Sequence, residues 1–432
     1  MRDNQKDMSI NELLDNQKLL GAQNKKNVFW NMIGISSNSL YAVLLMILVT
    51  RMNGLDVQGE VMFVFYLVSI FFTIGVYGGR IYQISDVEQE FSNSNYVSLK
   101  YVSNLLMFLV ALIFCVASGY SFQRTGLIFI FLGYRALESI GDAYLGVMER
   151  NYRLDLTGKS MMLKTLVGLA LFIIINYWTR NVYIAGLAFI LSFGATLIFF
   201  DMKVANRFDK IIVKFGNHTI RLLKKCFPVF IFTFFTLAIM NVARVFVDIY
   251  LSPELLGVFN IIIMPAAVMP LFTQLIFQPF VMEFTFALNK RNFDKFNKRI
   301  RKLFLLFTLI GLLAIFGAFL IGIPVLSLVY GVDLTAYRWS LVLMVFAGAV
   351  GGGNLVFSVL MTLMRQLNLQ IYLFLTTFAI GVLLSIWLIG KHGINGAFVV
   401  YALLQVIQIT LFSTACYLTY KKYKMLPQGE CV

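Results

Sequence analysis

A chain of 432 residues that is 59% hydrophobic and only 13% charged, with a mean hydropathy of +0.80, carries more apolar side chain than a soluble globule of that size buries. Its net charge of +15 needs no nucleic acid to explain it, because basic loops beside membrane-spanning segments attract anionic lipid headgroups. The chain therefore reads as an all-α polytopic membrane protein.

In chain order, the first 27 residues are polar, so no cleavable signal peptide is expected and the first span anchors itself. A spanning helix needs about 20 apolar residues. Runs of that kind lie near 28–50, 60–82, 99–119, 125–146, 161–178, 182–200, 226–250, 257–286, 302–322, 335–363, 368–389 and 394–419, which predicts about 12 transmembrane helices. The runs are continuous and show no period of two, so they read as helices and not as barrel strands. Cys115, Cys226 and Cys416 fall in spans and Cys431 in the tail, with no spacing for a metal site or a disulfide framework.

The gaps between spans set the orientation. With both termini on one side, that side collects 29 Lys and Arg residues, including Arg2, Lys6, Lys100, Arg150, Arg153, Arg291 and Arg365. The other side holds 5, Arg51, Arg124, Arg180, Arg338 and Lys391, while Arg135 and Arg244 lie inside spans. Basic residues accumulate on the cytoplasmic side, so both termini are expected there. The expected organisation is a cytoplasmic N-terminal segment (1–27), an N-lobe of spans one to six (28–200), a basic cytoplasmic linker (201–225), a C-lobe of spans seven to twelve (226–419) and a cytoplasmic tail (420–432). Val204, Phe208, Ile211, Ile212 and Phe215 sit among the linker's bases, a pattern that suits an interfacial amphipathic helix.

The two halves look duplicated. LDVQGEVMF (55–63) and SPELLGVFN (252–260) each lead into a long apolar helix, and Gly59 corresponds to Gly257. Two six-helix halves in the same orientation imply a pseudo-two-fold axis along the membrane normal, a plan found in secondary transporters.

Four stretches, GVYGGRIYQISDVEQEFSNSNY (75–96), RNYRLDLTGKSMMLKTL (150–166), VDIYLSPELLGVFNIIIMPA (247–266) and IPVLSLVYGVDLTAY (323–337), resemble in their order and spacing bacterial polysaccharide biosynthesis membrane proteins. These are the O-antigen-type flippases for lipid-linked oligosaccharides within the multidrug/oligosaccharidyl-lipid/polysaccharide exporter superfamily. The likeness runs from about residue 24 to 420. It implies two six-helix lobes around a central cavity, alternating access, and a polyprenyl-diphosphate-linked glycan as cargo in the bacterial inner membrane. The partners it implies are that lipid-linked oligosaccharide, the phospholipid membrane and other polysaccharide-assembly proteins.

Ionisable groups inside spans are costly and face a cavity or a partner. In span seven Asn241, Arg244 and Asp248 share a helical face, and in span four Arg135, Glu138 and Asp142 repeat the spacing. Guanidinium binds phosphate bidentately and keeps its proton in a low dielectric, so Arg244 and Arg135 are candidates for holding a diphosphate. The alternative is structural: Arg244 neutralised by Asp248, and Arg135 by Glu138 or Asp142. Arg51 and Arg80 end spans one and two, where snorkelling is the default. Gly78 and Gly79 before Arg80 leave room for a lipid phosphate. Asn31 and Asn38 in span one, and Gln274 and Gln278 in the proline-bent span eight (Pro265, Pro270, Pro279), offer amides to sugar hydroxyls or to neighbouring helices. Gly75 with Gly79 and Gly348 with Gly352 have the spacing of close helix packing, with a hinge at Gly351–Gly353 as the alternative.

An enzyme is not expected. There is no GxxxxGK[ST] loop, so neither ATP hydrolysis nor an ATPase subunit is called for, and no cofactor or metal is implied. A membrane glycan polymerase would need larger external loops than about a dozen residues. The sharper competitor is a cation-coupled multidrug exporter of the same superfamily, which would use acids such as Asp142, Asp248 and Glu283.

Overall fold

The structure is a computed structural model that describes residues 10–86, 89–277, 280–290, 292–364 and 366–425. Expectations that fall on Arg2, Lys6, Gln278, Pro279, Arg291, Arg365 and Cys431 lie outside these residues. Among the described residues the chain is helical without strands: α1 (Ile10–Asn53), α2 (Leu55–Val76), α3 (Gly79–Ser85), α4 (Asn93–Ala117), α5 (Phe122–Arg150), α6 (Leu154–Thr179), α7 (Val182–Thr196), α8 (Met202–Ala205), α9 (Asn217–Tyr250), α10 (Pro253–Phe277), α11 (Val281–Asn289), α12 (Phe293–Gly317), α13 (Ile323–Tyr330), α14 (Arg338–Leu363) and α15 (Leu367–Met425).

The polar gaps supply the helix starts. Ser92, Ser121, Asn181 and Asn292 each accept a hydrogen bond from a backbone N–H of the first turn of α4, α5, α7 and α12, satisfying donors that a helix leaves open at its N-terminus. Ten helical stretches among the described residues are long and apolar enough to cross a membrane. The last of them, Leu367–Lys422, breaks at Gly393 (φ 59°) into two spans. With α5, whose 29 residues include Arg135, Glu138 and Asp142, the total reaches the expected twelve. Leu305, Leu313 and Leu328 are 74%, 63% and 76% exposed, as residues that face lipid are.

By packing, the chain divides into two compact units. One comprises the chain through Leu48 with Phe71–Phe230; the other comprises Val49–Ile70 with Ile231–Val432.

Within the first unit the expected second span is broken. Tyr77 and Gly78 take φ values of 51° and 64°, so α2 stops and α3 starts afresh. A Cβ on Gly78 would lie 2.6 Å from Val229 Cγ1; the left-handed backbone and the crowding both ask for glycine. The break releases carbonyls that other helices satisfy. Gly75 O accepts from Ser103 Oγ (2.6 Å) and Ser139 Oγ (2.7 Å), and Val76 O accepts from Lys100 Nζ (2.7 Å). An interrupted helix in the membrane persists only where such groups are met.

The linker corrects a second expectation. Residues 206–216 form no helix. Asn206, Arg207, Phe208 and Asp209 donate their N–H groups to carbonyls of Met202, Val204 and Ala205, and beyond that turn Ile212 N–H donates to Ser94 Oγ (3.1 Å) and Lys214 N–H to Ser98 Oγ (2.9 Å) at the start of α4.

In the second unit the two matching glycines lie against each other. A Cβ on Gly59 would fall 1.9 Å from Pro253 O and 3.0 Å from Gly257 N, and one on Gly257 would fall 2.7 Å from Leu55 O. Only glycine at both positions lets α2 and α10 approach so closely. Gly348 and Gly352 act in the same way on α14, where an added Cβ would meet Ala266 O at 2.6 Å or Thr273 Oγ1 at 2.3 Å. Around these crossings Phe277, Phe284, Phe296, Phe374 and Phe412 build the core.

Candidate functional site

The intramembrane ionisable groups that the sequence singled out are arranged differently in the two units, and Asp201 of the first unit, 1% exposed, stands apart from both arrangements. In the first unit the helix break at Tyr77–Gly78 carries Arg80 onto α5. Its Nη1 bonds Asp142 Oδ1 (3.1 Å), its Nε bonds Glu149 Oε2 (3.1 Å), and its Nη2 bonds Glu149 Oε1. Asp142 also takes Lys100 Nζ at 2.9 Å, and Lys100 is 0% exposed. Two cations and two carboxylates thus form one network, tied to the carbonyl of Val76. Arg80 does not snorkel; its guanidinium is committed to two acids. Asp142 pairs with Lys100 and Arg80, leaving Arg135 to pair with Glu138 at 2.7 Å, three residues along the same helix. Arg135 also stacks near the rings of Phe72 and Tyr134.

At the polar end of this unit Arg150 binds Asp86 (3.0 Å), and Asp86 further accepts from the N–H groups of Glu90 and Phe91 and from Tyr96 Oη. Burial alone pushes the Asp86 carboxyl up, but these donors outweigh it and hold the group below the usual carboxylate range. Asn31 and Asn38, both half-buried on α1, belong to this unit; Asn38 Oδ1 has no partner among the described residues.

The second unit holds a different kind of site. Arg244 on α9 is 6% exposed and is in no ion pair among the described residues. Its Nε donates to Asn260 Oδ1 (3.0 Å) and its Nη1 to Asn241 Oδ1 (2.5 Å). Its guanidinium carbon sits 3.7 Å over the ring centre of Tyr66. The partners are two amides and an aromatic face, which orient a cation without cancelling it. A guanidinium has five N–H donors, and these two bonds use two of them. Asn260 Nδ2, buried and without a partner among the described residues, adds another donor beside them. The expected alternative, an Arg244–Asp248 pair, is not formed; Asp248 is half-buried on the same helix.

Arg51, in this unit, caps α13: its Nε donates to Val329 O (2.9 Å) and its Nη2 to Leu328 O. Glu283 is partly exposed and paired with Arg299. Gln274 lines a cavity of about 630 Å³ together with Thr236, Asn354, Ser358, Gln405 and Gln408. Among the described residues no charged side chain lines it.

Sequence reasoning missed Lys100, Glu149, Tyr66, Asn260 and the cavity amides other than Gln274. Lys100 counted only as a topology charge, and Asn260 only as the end of a repeated stretch. Their roles depend on which helix each one meets.

No family model matches the chain. In sequence it is 22% identical over 379 residues to the capsular polysaccharide biosynthesis protein CapF of Staphylococcus aureus, covering 86% of this chain and 94% of that one. In structure it is similar to a eukaryotic MATE transporter, AtDTX14, with a TM-score of 0.62 at 12% identity, covering 93% of this chain and 97% of that one. It is also similar to a MOP-superfamily transporter from Pyrococcus furiosus whose binding pocket has reversed polarity, with a TM-score of 0.59 at 13% identity over 93% and 96% of the two chains. The chain is a multi-pass membrane protein with the fold of the MOP-superfamily transporters.

Proposed function

We propose that the chain is a flippase that moves polyprenyl-diphosphate-linked oligosaccharide units across the bacterial inner membrane by alternating access, for assembly of a cell-surface polysaccharide. The observation that carries the reading is Arg244, a buried cation held by Asn241, Asn260 and Tyr66 and in no ion pair among the described residues. A charge left in that state is costly and suits a site that receives an anion. The likeness to the capsular protein supports a glycan cargo. Both termini lie in the cytoplasm in this reading, so reporter fusions at 215 and 295 read cytoplasm and one at 254 reads outside; the reverse pattern overturns the orientation. Vesicles containing only this chain should translocate a polyprenyl-diphosphate-linked glycan without ATP. Strict dependence on ATP, or transport confined to a cationic dye, contradicts the proposal.

The second reading is a cation-coupled multidrug exporter, which the fold neighbours fit equally. Asp201 favours it: the residue is 1% exposed, and its Oδ1 has no partner among the described residues. In that reading dye efflux is lost in Asp201→Asn and survives Arg244→Ala; in the flippase reading glycan transport depends on Arg244.

A further inference from the structure

We infer that the cavity of the second unit is a subsite for uncharged sugar residues of the cargo, entered from the end where Arg244 holds the anionic group. The inference rests on the flippase reading and adds to it a place and a chemistry for the glycan. The cavity, about 630 Å³, is lined by α9, α10, α14 and α15 with Val281 of α11. An occupant of neutral, hydroxyl-rich chemistry is indicated by what the wall offers. Thr236, Gln274, Ser358, Gln405 and Gln408 supply amides and hydroxyls, and Phe232, Phe277, Phe374 and Tyr401 supply ring faces, with no charge among them. Amides satisfy both the donor and the acceptor of a hydroxyl, whereas a lipid chain gains nothing from them and leaves them buried without partners.

Asn354 makes the point sharply. It is 5% exposed, its Nδ2 donates to Gln405 Oε1 (2.9 Å) and Gln405 O (3.1 Å), and its Oδ1 has no partner among the described residues. A buried acceptor of this kind costs free energy until a donor reaches it. A sugar hydroxyl or acetamido N–H is such a donor. Access for it depends on glycine, because a Cβ at Gly351 would lie 3.1 Å from Gln405 Oε1 and 3.4 Å from Pro270 Cγ.

The cavity and the cation lie on one helix. Met240 lines the cavity and Arg244 follows one turn later, while Phe232 at the far end lies about 18 Å along the helix from Arg244. Tyr401 lines the cavity on the facing helix. A molecule with a diphosphate at one end and sugars extending from it therefore matches a cation set one helical turn beyond Met240 of a neutral cavity whose wall mixes ring faces with amides and hydroxyls.

The test measures binding of two probes, farnesyl diphosphate and farnesyl diphosphate linked to a neutral disaccharide of N-acetylglucosamine, to the full chain in nanodiscs. The wild type should bind the glycosylated probe about tenfold more tightly, the effect of one or two net hydrogen bonds. Gln274→Leu and Thr236→Val, which leave the Asn354–Gln405 bonds intact, should shrink that ratio to about threefold or less. Asn354→Leu should abolish it. All three should leave binding of farnesyl diphosphate unchanged. Equal binding of the two probes by the wild type overturns the subsite, and so does a ratio that survives the cavity variants. Weaker farnesyl diphosphate binding in the cavity variants would place the lipid chain there and also overturns it. Arg244→Ala should weaken both probes alike; if it weakens neither, the diphosphate reading fails while the ratio still reports on the cavity.

Discussion

The first unit gathers Arg80, Lys100, Asp142 and Glu149 into a neutralised cluster, whereas Arg244 in the second unit is in no ion pair among the described residues. Arg80, Lys100, Asp142 and Glu149 interlock, and Arg135 has Glu138. Among the described residues Arg244 is held by Asn241, Asn260 and the face of Tyr66. Both arrangements are buried, so burial alone does not distinguish a charge that fastens helices from one that receives a ligand. The partners distinguish them. A carboxylate cancels the cation and leaves little for an incoming anion, while an amide oxygen fixes its position and leaves most of the charge.

The largest effect expected from this contrast is in the first unit. Asp142→Leu strands Lys100, which is fully buried, together with one face of Arg80, and breaking a buried pair from one side costs about 3–5 kcal/mol. Thermal unfolding in detergent should show a strongly destabilised protein. Adding Lys100→Met should recover much of the loss, and a double variant no better than the single one would argue against the network as a fastener.

A smaller effect is expected at the neighbouring pair. Arg135 and Glu138 join residues of a single helix, so Glu138→Gln should destabilise less than Asp142→Leu, and Arg135→Met with Glu138→Leu should restore both stability and glycan export. Export that stays lost in a stable double variant would give Arg135 a role in cargo contact. The smallest effect is at Asp86, whose carboxyl is held below its ordinary range. A depressed folded pKa contributes stability that is complete above the unfolded value of about 3.9 and is lost as the pH falls through the folded value. The wild type should therefore lose stability on acidification below about pH 4, and Asp86→Asn should flatten that part of the profile. An unchanged profile would contradict the stated role of Arg150, Tyr96 and the two N–H groups.

The contrast between the units was only half legible in the sequence. Hydropathy located the spans and singled out Arg135, Arg244 and their helical neighbours, because an ionisable residue within an apolar run is visible without any fold. Partner choice was not visible. Lys100 lies near the start of a span, where charge counting assigns it to water, yet α4 starts at Asn93 and carries it into the packed interior beside Asp142. Asp248 shares Arg244's helical face, yet the guanidinium turns to Asn260 on α10 instead. The glycine pair before Arg80 signalled a close approach, and the structure shows a helix break that also turns Arg80 towards the acids of α5. The linker pattern was misleading because its apolar residues suit a helix, while Ser94 and Ser98 bind the N–H groups of Ile212 and Lys214 in a stretch without helix.

The central claim is that Arg244 is kept for an anion and not for the fold, and Arg244→Met tests it with stability and export measured on the same variant. Removing an uncancelled buried charge should leave the unfolding temperature unchanged or raised, while cell-surface glycan falls to background and Arg244→Lys restores only part of it, since an ammonium keeps the charge but loses the planar fork. An Arg244→Met protein that unfolds as early as Asp142→Leu, or one that exports glycan at the wild-type level, would contradict the account.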